Sequence, residues 1–250
     1  MVEKYERVDF MSTYGVVPFS IWESDDPKFS NPILKHLKER QGESTRENTL
    51  KSFGGAGENT AYTATTSYFN PKLCKIIYSS YCPKNGTIFD PFSSVVRPYM
   101  AKILDYNYVG CEVRKDECDK INKMLNTNSL FEESDVRVLN MDCREFETDQ
   151  KFDLVFTCPP YWNLETYSEQ DNDLSSIADY SDFLTEMSKV YSKCSSLMHD
   201  ESYCCFVVAD FRDYSKGRKL INRLVPFVSD MIRCGEESGL SLYDKVIVKK

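Results

Sequence analysis

From Asn70 onward the chain alternates short apolar runs with segments whose apolar residues recur at helical spacing, and this constrains the fold more than any other feature. Pro71 to Tyr78 behind Asn70 predicts a helix with an asparagine cap, followed by a turn at Pro83 to Gly86. Strands are expected at Thr87 to Asp90, Tyr108 to Glu112, Val136 to Asn140, Asp153 to Thr157, Tyr203 to Ala209 and Leu242 to Val248. Helices are expected at Arg97 to Leu104, Asp116 to Leu125, Ser181 to Leu197 and Leu220 to Cys234. This spacing predicts an α/β fold with a mostly parallel, doubly wound sheet covered on both faces. Residues 1–66 carry little periodic pattern. They read as an irregular N-terminal extension with a short helix at Pro32 to Arg40 and a glycine cluster at Gly54, Gly55 and Gly57, ahead of a domain at 67–250.

Composition narrows the class. With 41% hydrophobic and 28% charged residues the chain is that of a folded protein rather than a disordered one. No apolar run approaches the roughly 18 residues of a membrane span. The start MVEKYERVDF lacks the apolar core of a secretion signal, so the cytoplasm, or a nucleus, is the expected location. Ten cysteines without a C-x-x-C pair, beside two histidines, make poor zinc ligands, and no metal site is expected; the cysteines read as small buried apolar residues. A net charge of −8 argues against a protein that coats nucleic acid, while an enzyme gripping DNA through a local strip stays open. Lys35 to Arg46 and Lys216 to Arg223 are such strips, or simply solvated faces.

In doubly wound sheets ligands bind beyond the carboxyl ends of the strands. Asp90, Glu112, Asp142 and the pair Thr157-Cys158 each fall at or just after such an end. Loop acids that cap helices explain any one of them, but the set less comfortably. Glu112 follows Asp90 by 22 residues, the distance at which nucleotide-binding α/β folds place a carboxylate for ribose hydroxyls. The segment Thr157-Cys158-Pro159-Pro160-Tyr161-Trp162 follows a buried strand with two prolines that stop the ladder. Carbonyl acceptors beside two aromatic rings suit a flat heterocycle with an exocyclic amino group; the other reading is a plain loop with aromatic packing.

Phe89-Asp90-Pro91-Phe92, then Tyr108 to Glu112, then Thr157 to Trp162 resemble the ordered motifs of S-adenosylmethionine-dependent DNA amino-methyltransferases. The likeness is nearest to small phage-type DNA methylases. It extends to Pro18-Phe19-Ser20, Phe69-Asn70-Pro71, Leu164 to Ser168 and Phe206 to Asp213, so it spans about residues 16 to 248. The resemblance implies a Rossmann-like class I methyltransferase fold that transfers a methyl group to adenine N6 or cytosine N4 in DNA, as in restriction–modification. It implies that Asp90, Pro91, Phe92, Ser93 and Ser94 wrap the methionine part of the cofactor. Glu112 would hold the ribose, Asp142 and Cys143 would flank the adenine, and Phe19 and Phe69 join the cofactor-binding set. Cys158, Pro159, Pro160 and Tyr161 would receive the flipped base, with Trp162, Glu165 and Tyr167 binding substrate. DNA reading would come from residues 1–66 and the loop Asn163 to Ala178, and a homodimer or partner subunit is compatible with the family.

Such a reaction needs no covalent enzyme intermediate. Acceptors on the amino hydrogens pull the nitrogen toward a tetrahedral, nucleophilic shape as it attacks the methyl in line. Cys158 stands where the family has Asp, Asn or Ser; a thiol accepts weakly, which shifts the work to the Pro159 carbonyl. The family follows Asp-Pro-Phe with a glycine-rich turn, whereas this chain has Ser93-Ser94-Val95-Val96-Arg97-Pro98. That departure keeps open a catalytically silent homologue that binds DNA or a partner. An RNA or small-molecule N-methyltransferase is a further alternative, since fold alone does not fix substrate.

Overall fold

Asn70 caps α1 (Pro71–Tyr81) through its side-chain oxygen, which accepts from Lys72 N at 2.9 Å, and Pro71 occupies the first helical position, where its missing N–H is no loss. The computed structural model describes residues 22–23, 69–126, 134–164, 166–168, 170–213 and 223–249. After a two-residue strand β1 (Trp22–Glu23) and α1, the chain runs through β2 (Thr87–Asp90), α2 (Val96–Ile103), β3 (Asn107–Cys111), α3 (Lys115–Asn126) and β4 (Val136–Leu139). It continues through β5 (Phe152–Thr157), α4 (Tyr180–Leu197), β6 (Met198–Phe206), β7 (Phe211–Asp213), β8 (Arg223–Val225), α5 (Phe227–Glu237) and β9 (Val248–Lys249). Strands β2 to β6 form one sheet in the order β4-β3-β2-β5-β6, every neighbouring pair parallel. The expected doubly wound α/β fold is therefore the observed one.

Successive strand residues point to opposite faces. Ile88, Tyr108, Val138, Leu154 and Phe156 join a core with α1, α2 and α3, while Phe89, Val109 and Val155 join another with α4 and α5. Both faces are dry, as a parallel sheet requires. All ten cysteines are free, and seven are buried. Burial holds Cys74, Cys111, Cys143 and Cys194 well above the ordinary thiol range, so they pack as small apolar groups.

Three expected elements are corrected. The helix expected at Leu220 to Cys234 is interrupted: Arg223–Val225 pairs antiparallel with β7, and α5 begins only at Phe227, because Pro226 cannot sit inside a helix. The strand expected at Tyr203 to Ala209 is β6, which starts at Met198 and ends at Phe206; its polar first half is tolerated because His199, Asp200 and Glu201 are exposed and β6 is the last strand of the sheet among the described residues. Of Leu242 to Val248 only Val248 enters a ladder, pairing with Trp22, while Leu242, Tyr243 and Ile247 stay exposed. Residues 1–66 apart from β1 lie outside the described residues, as do Lys35 to Arg46 and all of Lys216 to Arg223 but Arg223. Among the described residues no helix is long and apolar enough to cross a membrane.

Candidate active site at the switch point

The strand order reverses between β2 and β5, so the cleft beyond their carboxyl ends is where a doubly wound sheet takes its ligand. Asp90 ends β2 and Thr157 ends β5, and Thr157 Oγ1 donates to Asp90 Oδ1 at 2.6 Å. Asp90 is fully buried, and both oxygens are engaged inside the protein. Oδ2 accepts from Arg97 Nε at 2.6 Å and from Tyr108 Oη at 2.5 Å, and Oδ1 accepts from Phe92 N at 3.1 Å. Arg97 also donates to the Phe92 carbonyl, and its guanidinium lies 4.9 Å from the Phe69 ring centroid. Burial alone would lower the Arg97 pKa, but the adjacent Asp90 carboxylate more than offsets this and the guanidinium stays charged. Asp90 thus acts as the knot that fixes the loop after β2.

That loop needs no glycine. Residues 91–95 keep negative φ throughout. Room comes from the neighbouring strand instead: a Cβ added at Gly110 would meet Ser93 Oγ at 2.6 Å, Ser93 Cβ at 2.7 Å and Tyr108 Cε1 at 2.8 Å. Ser93 is held there by its N–H to the Cys111 carbonyl at 2.8 Å and by its hydroxyl on Tyr108 Oη at 3.0 Å. Gly110→Ala is therefore expected to push the loop off β3 and destabilise the fold by about 1–3 kcal/mol, read as a lower urea midpoint. Beside Ser93, the Ser94 hydroxyl is shielded from solvent and meets no hydrogen-bond partner among the described residues.

Glu112 and Asp142 follow the ends of β3 and β4. Glu112 accepts from Arg114 N at 2.8 Å, Arg114 Nε at 3.1 Å and Arg114 Nη2 at 3.0 Å. Asp142 caps the short 3₁₀ turn Cys143–Glu145 and accepts from Arg144 N at 2.9 Å, with Arg144 Nε at 3.0 Å and Nη2 at 2.5 Å. Burial raises the Glu112 pKa, and Arg114 draws it back only in part. A carboxyl with a raised folded pKa binds its proton more tightly folded than unfolded. Its favourable contribution is present below the ordinary glutamate value of 4.5 and is lost as pH rises through the folded pKa. Glu112→Gln is accordingly expected to gain stability over the parent as pH rises from 4 toward 7, and parallel curves in urea titrations at several pH values would refute it.

The segment after β5 stands beside the loop after β2 at the switch point. Pro159 and Pro160 are buried, have no amide hydrogen, and their carbonyls meet no donor among the described residues. Cys158 is partly exposed, and Tyr161 is half-buried with its ring 5.1 Å from Phe227 and 6.0 Å from Phe211. Trp162 packs on Tyr180 at 5.1 Å, has φ of 50°, which is uncommon for a bulky residue, and its indole N–H is buried without a partner among the described residues. The following loop is built on buried Asp173, which accepts from Ser168 Oγ at 2.7 Å and Ser175 N at 2.9 Å, while Tyr167 N donates to Ser175 Oγ at 3.0 Å.

The structure thus brings Phe69, Asp90 to Ser94, Glu112, Asp142, Cys143 and Cys158 to Trp162 to one end of the sheet. Phe19 and Glu165 lie outside the described residues. Arg97, Tyr108, Arg114 and Arg144 were not among the expected site residues. The signal for two of them was present, since an arginine stands two residues after each of Glu112 and Asp142.

No family model matches the sequence, and no curated protein matches it. Solved structures to which the chain is similar include an O-methyltransferase of a trans-AT PKS multienzyme from Brevibacillus brevis in complex with S-adenosyl-L-homocysteine, at 10% identity over 61% of this chain and 46% of that one, TM-score 0.40. TrmN from Thermus thermophilus gives 12% identity over 57% and 39%, TM-score 0.42. The N-methyltransferase NodS from Bradyrhizobium japonicum WM9 gives 12% over 54% and 63%, TM-score 0.37. The chain spans less than half the length of the first two. At TM-scores this low the likenesses assign no function, and the chain's own residues carry the assignment.

Proposed function

We propose that the protein is an S-adenosylmethionine-dependent methyltransferase acting on the exocyclic amino group of adenine or cytosine in DNA. The observation that carries this reading is the Thr157–Asp90 hydrogen bond of 2.6 Å, which joins the start of the Cys158-Pro159-Pro160-Tyr161 segment to the glycine-free loop across the switch point. The motif order in the sequence supports it. The residues present fit the cofactor on one further observation: the shielded Ser94 hydroxyl has no partner among the described residues. Ser93, Ser94, Glu112 and Asp142 would hold the cofactor, which supplies an electrophilic methyl on a sulfonium.

The chain's own part is to bind and orient. The Pro159 and Pro160 carbonyls accept hydrogen bonds from the amino group, and that polarisation raises the nucleophilicity of the nitrogen before any proton leaves; once the methyl is transferred, the cationic nitrogen releases one proton to water. Tyr161 offers a ring face for stacking, backed by Phe211 and Phe227. The two prolines fix the backbone there, so the acceptors are placed before the substrate arrives.

The test is to incubate the protein with methyl-labelled S-adenosylmethionine and duplex DNA, single-stranded DNA or RNA, then identify the methylated nucleoside by mass spectrometry. N6-methyladenine or N4-methylcytosine in DNA supports the reading. Label in RNA alone would replace the substrate, and cofactor binding without transfer would favour a silent homologue.

A further inference from the structure

Glu112 and Asp142 share a construction that the transfer chemistry does not use. Each follows a strand end, each is gripped by the arginine two residues on, and each of those arginines also touches the loop after the catalytic segment. The Arg114 guanidinium lies 5.5 Å from the ring centroid of Tyr167. Arg144 Nη2 donates to the Asn172 carbonyl at 3.3 Å, while Nη1 reaches Glu186 on α4. A guanidinium suits this work, because its planar fork holds a carboxylate along one edge and leaves a face or another N–H for a second partner. The carboxylate contacts are the strong half of each bridge. The loop contacts are the weak half: one ring contact to a Tyr167 that is 39% exposed, and one long hydrogen bond.

We infer that Arg114 and Arg144 are positioning residues that couple the cofactor carboxylates to the loop at 166–173, so that a ligand fixing Glu112 and Asp142 also fixes the surface proposed to read DNA. The coupling rests on the methyltransferase reading. Because linkage is reciprocal, the same factor by which cofactor tightens DNA is the factor by which DNA tightens cofactor.

The probe is S-adenosylhomocysteine. Duplex affinity is measured by fluorescence anisotropy with and without it, in the parent, Arg114→Gln, Arg144→Gln and Tyr167→Leu. In parallel, hydrogen exchange of the 166–173 amides is followed in the parent with and without S-adenosylhomocysteine, which needs no variant to fold. A cofactor-dependent gain in duplex affinity of about tenfold is expected in the parent, falling to about twofold or less in each variant whatever happens to either affinity alone. Exchange at 166–173 should slow by a similar factor while β2 and β3 amides are unchanged. Parent protein that binds both ligands without coupling, or a full tenfold effect retained in Arg114→Gln and Arg144→Gln, overturns the inference and leaves the methyltransferase reading standing. Absence of S-adenosylhomocysteine binding overturns both.

Discussion

Arg97→Met is expected to remove about 3–5 kcal/mol of folding stability, which is a large part of what a domain this size has. Asp90 is 0% exposed and Arg97 only 2%, so the substitution would leave a carboxylate in the interior without its countercharge. The pair is worth little against an apolar replacement of both members, but breaking it from one side strands a charge. The damage would also spread, since the Arg97 guanidinium holds the Phe92 carbonyl. Urea titration near neutral pH is the measurement. The companion variant Asp90→Asn with Arg97→Met tests the cause: a neutral amide still accepts from Thr157 Oγ1, so the double variant should be more stable than Arg97→Met alone. If the two are equally destabilised, the loss is one of packing around the arginine stem and not of charge.

The fold and the site were legible to different depths. Asn70-Pro71, the apolar runs at Thr87 to Asp90 and Asp153 to Thr157, and the period of Ser181 to Leu197 each state a local preference that tertiary packing does not oppose, so those elements stand where expected. The placement of Asp90, Glu112 and Asp142 beyond their strand ends was legible for the same reason, because the strand boundaries follow local pattern. The arginines that complete the acids were not. Arg97 sits on α2 seven residues from Asp90, where a charged residue reads as solvated face, and only the packing of α2 against α1 and β3, beside the end of β2, buries it. The boundary at Pro226 was readable from the proline alone, and the apolar content of Leu220 to Cys234 masked it. The stretch Leu242 to Ile247 is rich in residues that favour strands, yet strand formation depends on a ladder partner that composition does not report.

Tyr161→Ala is expected to lower methyl transfer about 5–150-fold, the range that base stacking on an aromatic ring supplies at 1–3 kcal/mol, with S-adenosylhomocysteine affinity nearly unchanged. The separation follows from position. Tyr161 stands on the segment after β5, while the residues proposed for the cofactor stand after β2, β3 and β4. The ring is half-buried against Phe211 and Phe227, so truncation also removes packing, and activity alone would not tell stacking from a slackened loop. Tyr161→Phe makes the distinction, because it keeps the ring face and its neighbours and deletes only the hydroxyl. Near-parental rates for Tyr161→Phe beside the loss for Tyr161→Ala would assign the effect to the face. Equal losses in both variants would move it to the hydroxyl. Loss of S-adenosylhomocysteine binding in a folded Tyr161→Ala would mean that the ring supports the cofactor side of the site, since a residue that contacts only the target base has no reason to change the affinity of a ligand that binds without the base.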